Sequence, residues 1–380
     1  MRRGMICAAL AALLLGLAGC GGGQAADGAA GPSWDSLTVE RSMELHYAEQ
    51  FSVEYLTDGY KKIVIGDEQY LTVPENAPVP AGLPDGMTVL QQPLDHIYLV
   101  ATSAMDLLRE LDALDAVALS GTEADNWYID EARQAMENGS MLYAGKYSAP
   151  DYELILEEGC DLAVESTMIY HTPEVMEQLE RLGVPVLVER SSYESHPLGR
   201  MEWLRLYAAL LDREEQAETY FDAMLQTLAP ILEQPGTGKT AAFFYITSSG
   251  AVNVRRPGDY VAKAIALAGG VYALNDLPFE ESALSTVNMQ MEAFYQSVRD
   301  ADVLIYNSAI DGGLQTLDEL LEKSPVLRDC RAVRQGNVWC TEKNLFQQSL
   351  GLGALITDLH TVFTQEQPDE RALTYLRRLS

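Results

Sequence analysis

The sequence predicts an α/β protein made of two Rossmann-like lobes with parallel-rich sheets, joined by a single long helical connector. Two observations predict this fold class. Short apolar runs alternate with amphipathic segments over residues 96–190 and again over residues 240–363, which is typical of parallel strands covered by helices on both faces. Between these regions, residues 195–236 have helical periodicity with almost no strand pattern.

The first twenty residues have the layout of a secretory signal. "MRRGMICAALAALLLGLAGC" begins with two arginines, continues as an apolar run and ends in small residues before Cys20. The apolar run is too short to be a convincing membrane span. The last four residues resemble a bacterial lipoprotein box, which implies a signal peptide over residues 1–19 and lipidation of Cys20. Residues 20–33 then form a flexible Gly/Ala-rich tether. We therefore expect an extracytoplasmic lipoprotein on the outer face of the bacterial cytoplasmic membrane.

The N-terminal lobe is predicted over residues 34–194. It starts with a β-hairpin, "FSVEYLTDGYKKIVI", that turns at Asp58 and Gly59, and we expect this hairpin to be an added edge. The strands that follow are predicted in "HIYLVAT", "AVALSG", "MLYAG", "DLAVEST" and "VPVLVER". The helices between them are predicted in "AMDLLRELDAL", "DEARQAMEN", "PDYELILEEG" and "PEVMEQLERLG".

The helical connector is predicted over residues 195–236, and the C-terminal lobe over residues 237–380. The second lobe repeats the alternation in "TAAFFYI", "DYVAKAIALAGG", "QMEAFYQSVRDA", "DVLIYNS", "TLDELLEK", "AVRQGNVWC" and "GLGALITDLHTVF". At the boundary, "QPGTGKT" resembles the end of a phosphate-binding loop, but Glu233 stands where that loop has its first glycine. The stretch also follows a helix and precedes a strand, which is the reverse of a phosphate-binding loop. It is therefore predicted to be a turn.

Composition excludes several classes of partner. The chain has 26 Lys and Arg against 56 Asp and Glu, a formal charge of −30, so nucleic acid and anionic lipid surfaces would be repelled. Of the five cysteines, Cys7 is lost with the signal and Cys20 is the anchor. Cys160 is predicted to be a small buried apolar residue. Whether Cys330 and Cys340 form a bridge stays open.

The order of several fragments resembles the solute-binding lipoproteins of ATP-driven importers, in the helical-backbone class that carries iron complexes and corrinoids. The fragments lie between residues 90 and 365, and they are "PDYELILEEGCDLAVEST", "LERLGVPVLVER", "WLRLYAALLDREEQAETYFDAM", "RRPGDYVAKAIALAGGVYALNDL" and "AVRQGNVWC". The resemblance implies a monomer without catalytic activity or cofactor, which binds a ferric siderophore, haem or a corrinoid in a cleft between the lobes. Its implied partner is the permease of an ABC importer.

In this class, one glutamate on each lobe docks the loaded protein to basic residues of the importer. The corresponding positions are Glu153 in "YELIL" and Glu292 in "MEAFY". A carboxylate that is simply favoured at the start of a helix would have the same appearance.

Ligand contacts are expected on loops at the carboxyl ends of the strands. In the second lobe, Arg255 and Arg256 stand out in an acidic chain, and arginine suits anionic groups; Tyr260 lies nearby. Candidates in the first lobe are Trp127, Tyr128, Lys146, Tyr147, Met168, Tyr170 and His171. Tyr193, His196 and Arg200 are expected at the back of the cleft.

Three alternatives remain at this point. A bare metal ion would need converging imidazoles and carboxylates, and only five histidines occur, of which His171 and His196 could meet in the cleft. A surface enzyme would need a catalytic group, and neither G-x-S-x-G nor H-E-x-x-H is found. A sensor for the same ligands would look the same in sequence.

Overall fold

The computed structural model describes residues 31–277, 286–310 and 313–380. The predicted signal peptide, Cys20 and most of the predicted tether lie outside the described residues. In the part that is described, no helix has both the length and the apolar character that crossing a membrane requires.

The described chain starts with a separate five-stranded sheet, which we name the accessory sheet. Its strands follow one another in space in the order of the sequence, and all neighbours are antiparallel except the last pair. They are β1 (Val39–Ser42), β2 (Phe51–Leu56), β3 (Lys61–Ile65), β4 (Glu68–Val73) and β5 (Met87–Gln91).

The hairpin predicted in this region is confirmed, but its expected place at the edge of the first lobe is wrong. Asp58 and Gly59 both have positive φ, 61° and 81°, at the turn between β2 and β3. The hairpin pairs with β1 on one side and β4 on the other, so its strand edges are taken up within the accessory sheet. The sheet then packs against helices of the connector rather than extending the first lobe.

The first lobe contains a five-stranded parallel sheet, as predicted. The spatial order is β12-β11-β6-β7-β8. The strands, with one small hairpin, are β6 (Ile97–Leu99), β7 (Leu119–Ser120), β8 (Leu142–Tyr143), β9 (Gly145–Lys146), β10 (Ala149–Pro150), β11 (Leu162–Ser166) and β12 (Val186–Glu189). The helices are α1 (Thr102–Glu110), α2 (Asp130–Glu137), α3 (Tyr152–Glu157) and α4 (Pro173–Arg181).

The helical region between the lobes comprises three helices. They are α5 (Pro197–Glu202), α6 (Leu204–Leu211) and α7 (Glu214–Leu232). Asp212 has a left-handed conformation, with φ of 55°, so the chain turns a corner between α6 and the 19-residue α7. The stretch that resembled a phosphate-binding loop then connects α7 to the next strand and contains Gly238 at a φ of 71°. It is a turn, as predicted.

The second lobe has a mixed seven-stranded sheet within the described residues. Its strands are β13 (Thr240–Ile246), β14 (Val252–Arg255), β15 (Val271–Tyr272), β16 (Thr286–Met289), β17 (Val303–Tyr306), β18 (Val338–Thr341) and β19 (Leu376–Arg378). Its helices are α8 (Tyr260–Leu267), α9 (Met291–Val298), α10 (Leu317–Lys323), α11 (Arg331–Arg334) and α12 (Leu352–Thr364). The sheet centre, β13-β17-β18, is parallel.

The cysteines of the described chain are free thiols. Cys330 and Cys340 are both buried and do not form a bridge. Cys160 is half-buried, and burial raises the pKa of its thiol to about 12. All three therefore act as small apolar side chains rather than as reactive groups.

Glu202 offers a direct test of how the accessory sheet is held. Its fully buried carboxylate accepts hydrogen bonds from the backbone N–H groups of His46, Tyr47 and Ala48. In Glu202→Gln, one oxygen becomes an NH₂ donor that faces other donors, so the free energy of unfolding should fall by ~3 kcal/mol. Urea denaturation checks this. Glu215→Gln, on an exposed position of α7, is the control, and equal stability of the two variants would contradict the prediction.

Candidate functional site

The carboxyl edges of the two sheets meet across a cleft. Residues that follow β7 in the first lobe contact residues that follow β18 in the second lobe. The Tyr128 N–H donates to Gln347 Oε1 at 2.8 Å, and Gln347 Nε2 donates to the Asn126 carbonyl at 2.8 Å. Loops at these edges therefore form the boundary between the lobes, which is where α/β proteins bind ligands.

A cavity of about 410 Å³ opens beside this contact. Its size falls within the usual range for small-molecule sites. The first lobe contributes Tyr128, Asp130 and Arg133, and the second lobe contributes, among others, Ser308, Lys343, Asn344 and Arg377. Asn344 Oδ1 is buried without a hydrogen-bond partner. This oxygen could therefore accept a hydrogen bond from a ligand in the cavity.

The sequence analysis missed the residues that the second lobe contributes to this cavity. Lys343 and Asn344 come directly after β18, and Ser308 comes directly after β17. Tyr128 was selected because ligand contacts are expected on loops at the carboxyl ends of strands. The same expectation would have found these residues, because "AVRQGNVWC" resembles a turn followed by a strand. Arg377 lies on β19, which pairs antiparallel with β18, and no local signal placed that strand.

The first-lobe candidates occupy the same edge but differ in exposure. Tyr128, Met168, Tyr170, Lys146 and His171 are exposed. Tyr147 is half-buried against the core. Tyr143, at the end of β8, is also exposed, although it was not selected from the sequence. This edge therefore presents phenol rings and a thioether, which suit a ligand with an apolar body.

Trp127 does not form the aromatic wall expected at its position. Only 1% of its surface is exposed, and its indole Nε1 donates to Ser120 Oγ at 3.2 Å. A short 3-10 turn at Ala124–Asn126 directs Trp127 into the core and leaves the neighbouring Tyr128 at the surface. The aromatic surface expected from this loop is therefore supplied by Tyr128 alone.

The second-lobe arginine pair, which was expected at a carboxyl strand end, lies at the end of β14. This strand is antiparallel to β13, so its end points away from the carboxyl edge of the sheet. Arg255 is mostly buried, with its guanidinium 3.3 Å from the Asp259 carboxylate and 5.5 Å from the ring of Phe346. Asp259 is fully buried and caps α8 through the Val261 N–H. Burial raises the pKa of Asp259, and the positive charge of Arg255 opposes that rise. Arg256 is half-buried beside this pair.

Residues of the helical region and of α8 meet behind this pair. The Arg200 guanidinium lies 4.2 Å from the centroid of the Tyr260 ring, and Lys263 Nζ donates to Ser195 Oγ at 2.9 Å. Arg200 is 7% exposed. Arg200, which was expected at the back of the cleft, thus connects α5 to the second lobe through Tyr260.

Tyr193 and His196 have other neighbours. The Arg190 guanidinium lies 4.8 Å from the Tyr193 ring. The His196 ring stacks on Tyr47, which precedes the accessory strand β2, with the centroids 4.9 Å apart. Burial lowers the pKa of His196. His196 therefore packs against the accessory segment.

The two predicted docking glutamates lie in equivalent places. Glu153 is exposed in the first turn of α3, which follows the carboxyl end of β8 and the β9-β10 hairpin. Glu292 is exposed in the first turn of α9, directly after β16. Since β16 is antiparallel to β14, and β14 to β13, β16 also ends at the carboxyl edge of its sheet. Each lobe thus has an exposed glutamate at the edge that borders the cleft.

Residues 31–277, 286–310 and 313–380 contain one group of three possible metal ligands, and it lies away from the cleft. Asp95, His96 and Asp161 precede β6 and β11, at the amino edge of the first-lobe sheet. Asp161 Oδ2 accepts both backbone N–H groups of the other two residues, at 2.8 and 2.9 Å. The cluster closes a turn in this way, and it includes neither His171 nor His196.

A second, larger opening of about 570 Å³ lies between α1, α7 and α12. Its buried carboxylates already have partners in the protein: Asp106 binds Arg109 and the Leu350 N–H, and Asp358 binds the N–H of Tyr375. It is lined by helices rather than by strand ends. On physical grounds the cleft is the better ligand site, because polar loops from both lobes converge there.

Comparison with known proteins identifies the family of this chain. The model of the periplasmic binding protein family matches residues 99–345, well over half of the chain. The chain belongs to the periplasmic binding protein family. The family match starts after the accessory sheet and covers both carboxyl edges. Members of this family bind solutes, and the fold is the mixed α/β, helical-backbone type predicted from the sequence.

An uncharacterized lipoprotein of Methanocaldococcus jannaschii is 23% identical over 355 residues, which cover 87% of this chain and 82% of the relative.

The solved structures share the fold. A periplasmic haem-binding protein of Pseudomonas aeruginosa has a TM-score of 0.57 at 17% identity, covering 75% of this chain and 98% of its own. An Fe³⁺-hydroxamate transport protein of Saccharomonospora viridis has a TM-score of 0.54 at 20% identity, covering 72% and 94%. The vitamin B12-binding protein of Vibrio cholerae has a TM-score of 0.52 at 17% identity, covering 73% and 99%.

Glu165 gives a pH-dependent test of the first lobe. It lies on β11, is fully buried, and neither carboxylate oxygen has a hydrogen-bond partner. Burial raises its pKa to about 8. Below about pH 4.3 the Glu165 carboxyl is protonated in both the folded and the unfolded protein. Between about pH 4.3 and pH 8 it ionises only in the unfolded protein, so the free energy of unfolding falls by up to ~1.4 kcal/mol per pH unit.

Glu165→Gln should remove this part of the pH dependence. Relative to the wild type, the variant should become progressively more stable between pH 5 and pH 8, by urea denaturation at each pH. Glu157→Gln, at an exposed position of α3, should follow the wild type. A constant difference between wild type and Glu165→Gln across this range would show that Glu165 is already ionised in the folded protein.

Proposed function

We propose that this protein is a lipid-anchored extracytoplasmic receptor that delivers an iron complex, either a ferric siderophore or haem, to an ATP-driven importer. The observation that carries the proposal is the polar cavity between the carboxyl edges, with side chains from both lobes. A ligand in this cavity contacts both lobes at once. A partner protein that contacts both lobes could therefore distinguish the loaded protein from the empty one. Membership of the family supports this kind of cargo, as do the fold neighbours named for Fe³⁺-hydroxamate transport and haem binding.

The distribution of charge favours an anionic cargo. The chain has a formal charge of −30, yet its cleft region contains Arg133, Lys343 and Arg377. Arginine and lysine bind carboxylates and other oxyanions through charge-assisted hydrogen bonds. Some of these cations already pair with an acidic neighbour, as Arg133 does with Asp130. The preference for an anionic cargo therefore depends on the cations that remain exposed, above all on Lys343.

The aromatic edge of the first lobe favours a cargo that also has an apolar body. Tyr128, Tyr143, Met168 and Tyr170 are among the exposed large apolar side chains of the described chain. Together with the cations of the second lobe, they would hold a complex with an apolar side and an anionic side. Ferric siderophores and haem have both features, whereas a bare metal ion would use neither. A corrinoid offers less negative charge and is the alternative cargo.

Membrane attachment and importer docking complete the proposal. The lipid anchor would be Cys20, and the curated relative is also named a lipoprotein. Docking to the permease would use Glu153 and Glu292, which are both exposed at the cleft edges of their lobes. Their separation on two lobes would let the permease sense the lobe arrangement of a loaded protein.

A titration of the protein with candidate cargoes tests the ligand. The panel is a ferric hydroxamate, a ferric catecholate, haem, cobalamin and free Zn²⁺, followed by the fluorescence of the four tryptophans. Saturable one-to-one quenching by a ferric complex or haem is expected. In Lys343→Gln or Tyr128→Ala the Kd should rise about tenfold, while Arg299→Gln, an exposed control far along α9, should bind normally. Binding of none of the panel, or of Zn²⁺ alone, would overturn the proposal.

Charge reversal tests the docking residues separately. Glu153→Lys with Glu292→Lys should abolish uptake of the bound complex by cells that contain the importer, because two opposite charges at the interface become like charges. The Kd for the cargo should not change, since neither residue lines the cavity. Glu157→Lys with Gln296→Lys, exposed in the same helices, is the matched control. Weaker cargo binding in the docking variant would reject this assignment.

A further inference from the structure

The accessory sheet is attached to the helical region by buried charged groups at two separate places. One place is α5 with the residues just before it, and the other is the corner between α6 and α7. The family match and the solved neighbours do not account for this sheet: the match begins at residue 99, and the neighbours span nearly all of their own length while covering 75% or less of this chain. Its role is therefore separate from the basic two-lobed fold.

At the first place, residues 46–50 wrap around two buried carboxylates, one just before α5 and one at its last residue. Glu202 accepts the N–H groups of residues 46, 47 and 48, at 2.8 to 2.9 Å. Glu194 accepts the N–H groups of residues 49 and 50, and the indole Nε1 of Trp203 at 3.0 Å. Both glutamates are at most 1% exposed. Five consecutive backbone donors therefore fix the segment in one position.

Close backbone contact makes this attachment tight. A Cβ atom at Gly199 would lie 2.7 Å from the Tyr47 carbonyl oxygen, so only glycine allows the segment to approach α5 this closely. The Tyr47 ring also stacks on His196, and Phe51 of β2 packs edge-on against Trp203 at 5.2 Å.

At the other end, the side chain of Lys61 enters the corner between α6 and α7. Its Nζ donates to the Ala209 carbonyl at 2.6 Å and lies 2.5 Å from Asp212 and 2.8 Å from Glu214. The cation thereby satisfies a free carbonyl in the last turn of α6 and pairs with the first residue of α7. Gln92 Nε2 donates to the same corner, to the Leu210 carbonyl and to Asp212 Oδ2.

Arg205 connects the first place to α7. This 5% exposed residue of α6 donates to the Glu44 carbonyl, next to the segment 46–50, and to Glu202 of α5. Its other nitrogen, Nη2, donates to Glu218 of α7 at 2.7 Å. All three helices and the accessory chain thus share one charged network, in which a move of α7 relative to α6 would break several buried interactions.

We propose that the accessory sheet is a brace that fixes the angle between α6 and α7 and thereby restricts the rocking of the two lobes. The helix α7 leads directly into β13 of the second lobe, and α5 follows β12 of the first lobe after a short 3-10 turn. The angle between these helices therefore sets the relation of the lobes. Lobes usually rock about residues at the ends of helices and strands. Here the adjoining ends of α6 and α7 are fixed by contacts with the accessory sheet. This role does not depend on the identity of the cargo.

Single-molecule energy transfer measures the effect directly. Donor and acceptor dyes are attached through azido amino acids at positions 177 and 322, which are exposed on α4 and α10, so that the native cysteines are left unlabelled. The wild type should give one narrow distribution of transfer efficiency. In Lys61→Met, the corner loses its cation, and the width of the distribution should roughly double. Lys61→Arg should restore most of the narrow distribution.

The neighbouring lysine supplies the matched control. Lys62 lies next to Lys61 on β3 but pairs with Glu54 within the accessory sheet, so Lys62→Met should leave the distribution unchanged. If Lys61→Met does not fold, Gln92→Leu removes two milder contacts to the same corner and should broaden the distribution to a smaller extent. A folded Lys61→Met or Gln92→Leu protein with the wild-type width would overturn the proposal, whatever its thermal stability.

Discussion

Glu194 and Glu202 are carboxylates with almost no solvent exposure at the point where the first lobe becomes the helical region. A buried carboxylate is costly unless its oxygens are saturated with donors. Here the donors are backbone N–H groups of residues 46–50, together with Trp203 and Arg205. The position of α5 therefore depends on a segment far away in the sequence, and the positions of α6, α7 and the second lobe depend on α5 in turn.

The placement of positive charge follows a related constraint. The chain is strongly acidic, so carboxylates are available to its buried cations. Lys61 and Arg205 each contact two carboxylates, and Arg255 contacts Asp259, and these contacts hold structural elements together. Cations left at the surface of the cleft, such as Lys343, are consequently more informative about a ligand. The mostly buried Arg255 positions α8 through Asp259, so its contribution to an anionic cargo would be through charge at short range more than through a new bidentate contact.

Patterns that are local in sequence were predicted well. The parallel strands of the first lobe and the Asp58-Gly59 turn follow from apolar runs and from backbone conformation. Glu153 and Glu292 are exposed in the first turns of α3 and α9, and their docking role stays a prediction. The attachment of the accessory sheet was not predictable, because residues 46–50 and Lys61 contact helices that lie more than 130 residues away in the sequence. Trp127 and Tyr128 have similar local signals, and a single 3-10 turn decides which of them is buried.

The central claim is that the cargo lies between the carboxyl edges and touches both lobes. The most direct measurement is the anomalous scattering of iron, at its absorption edge, from crystals of the protein grown with the ferric complex or haem that binds in solution. The account predicts one iron peak between the loop after β7 and the loop after β18, within contact distance of Tyr128 on one side and Lys343 on the other. A peak in the opening between α1, α7 and α12, or at Asp95, His96 and Asp161, would contradict it.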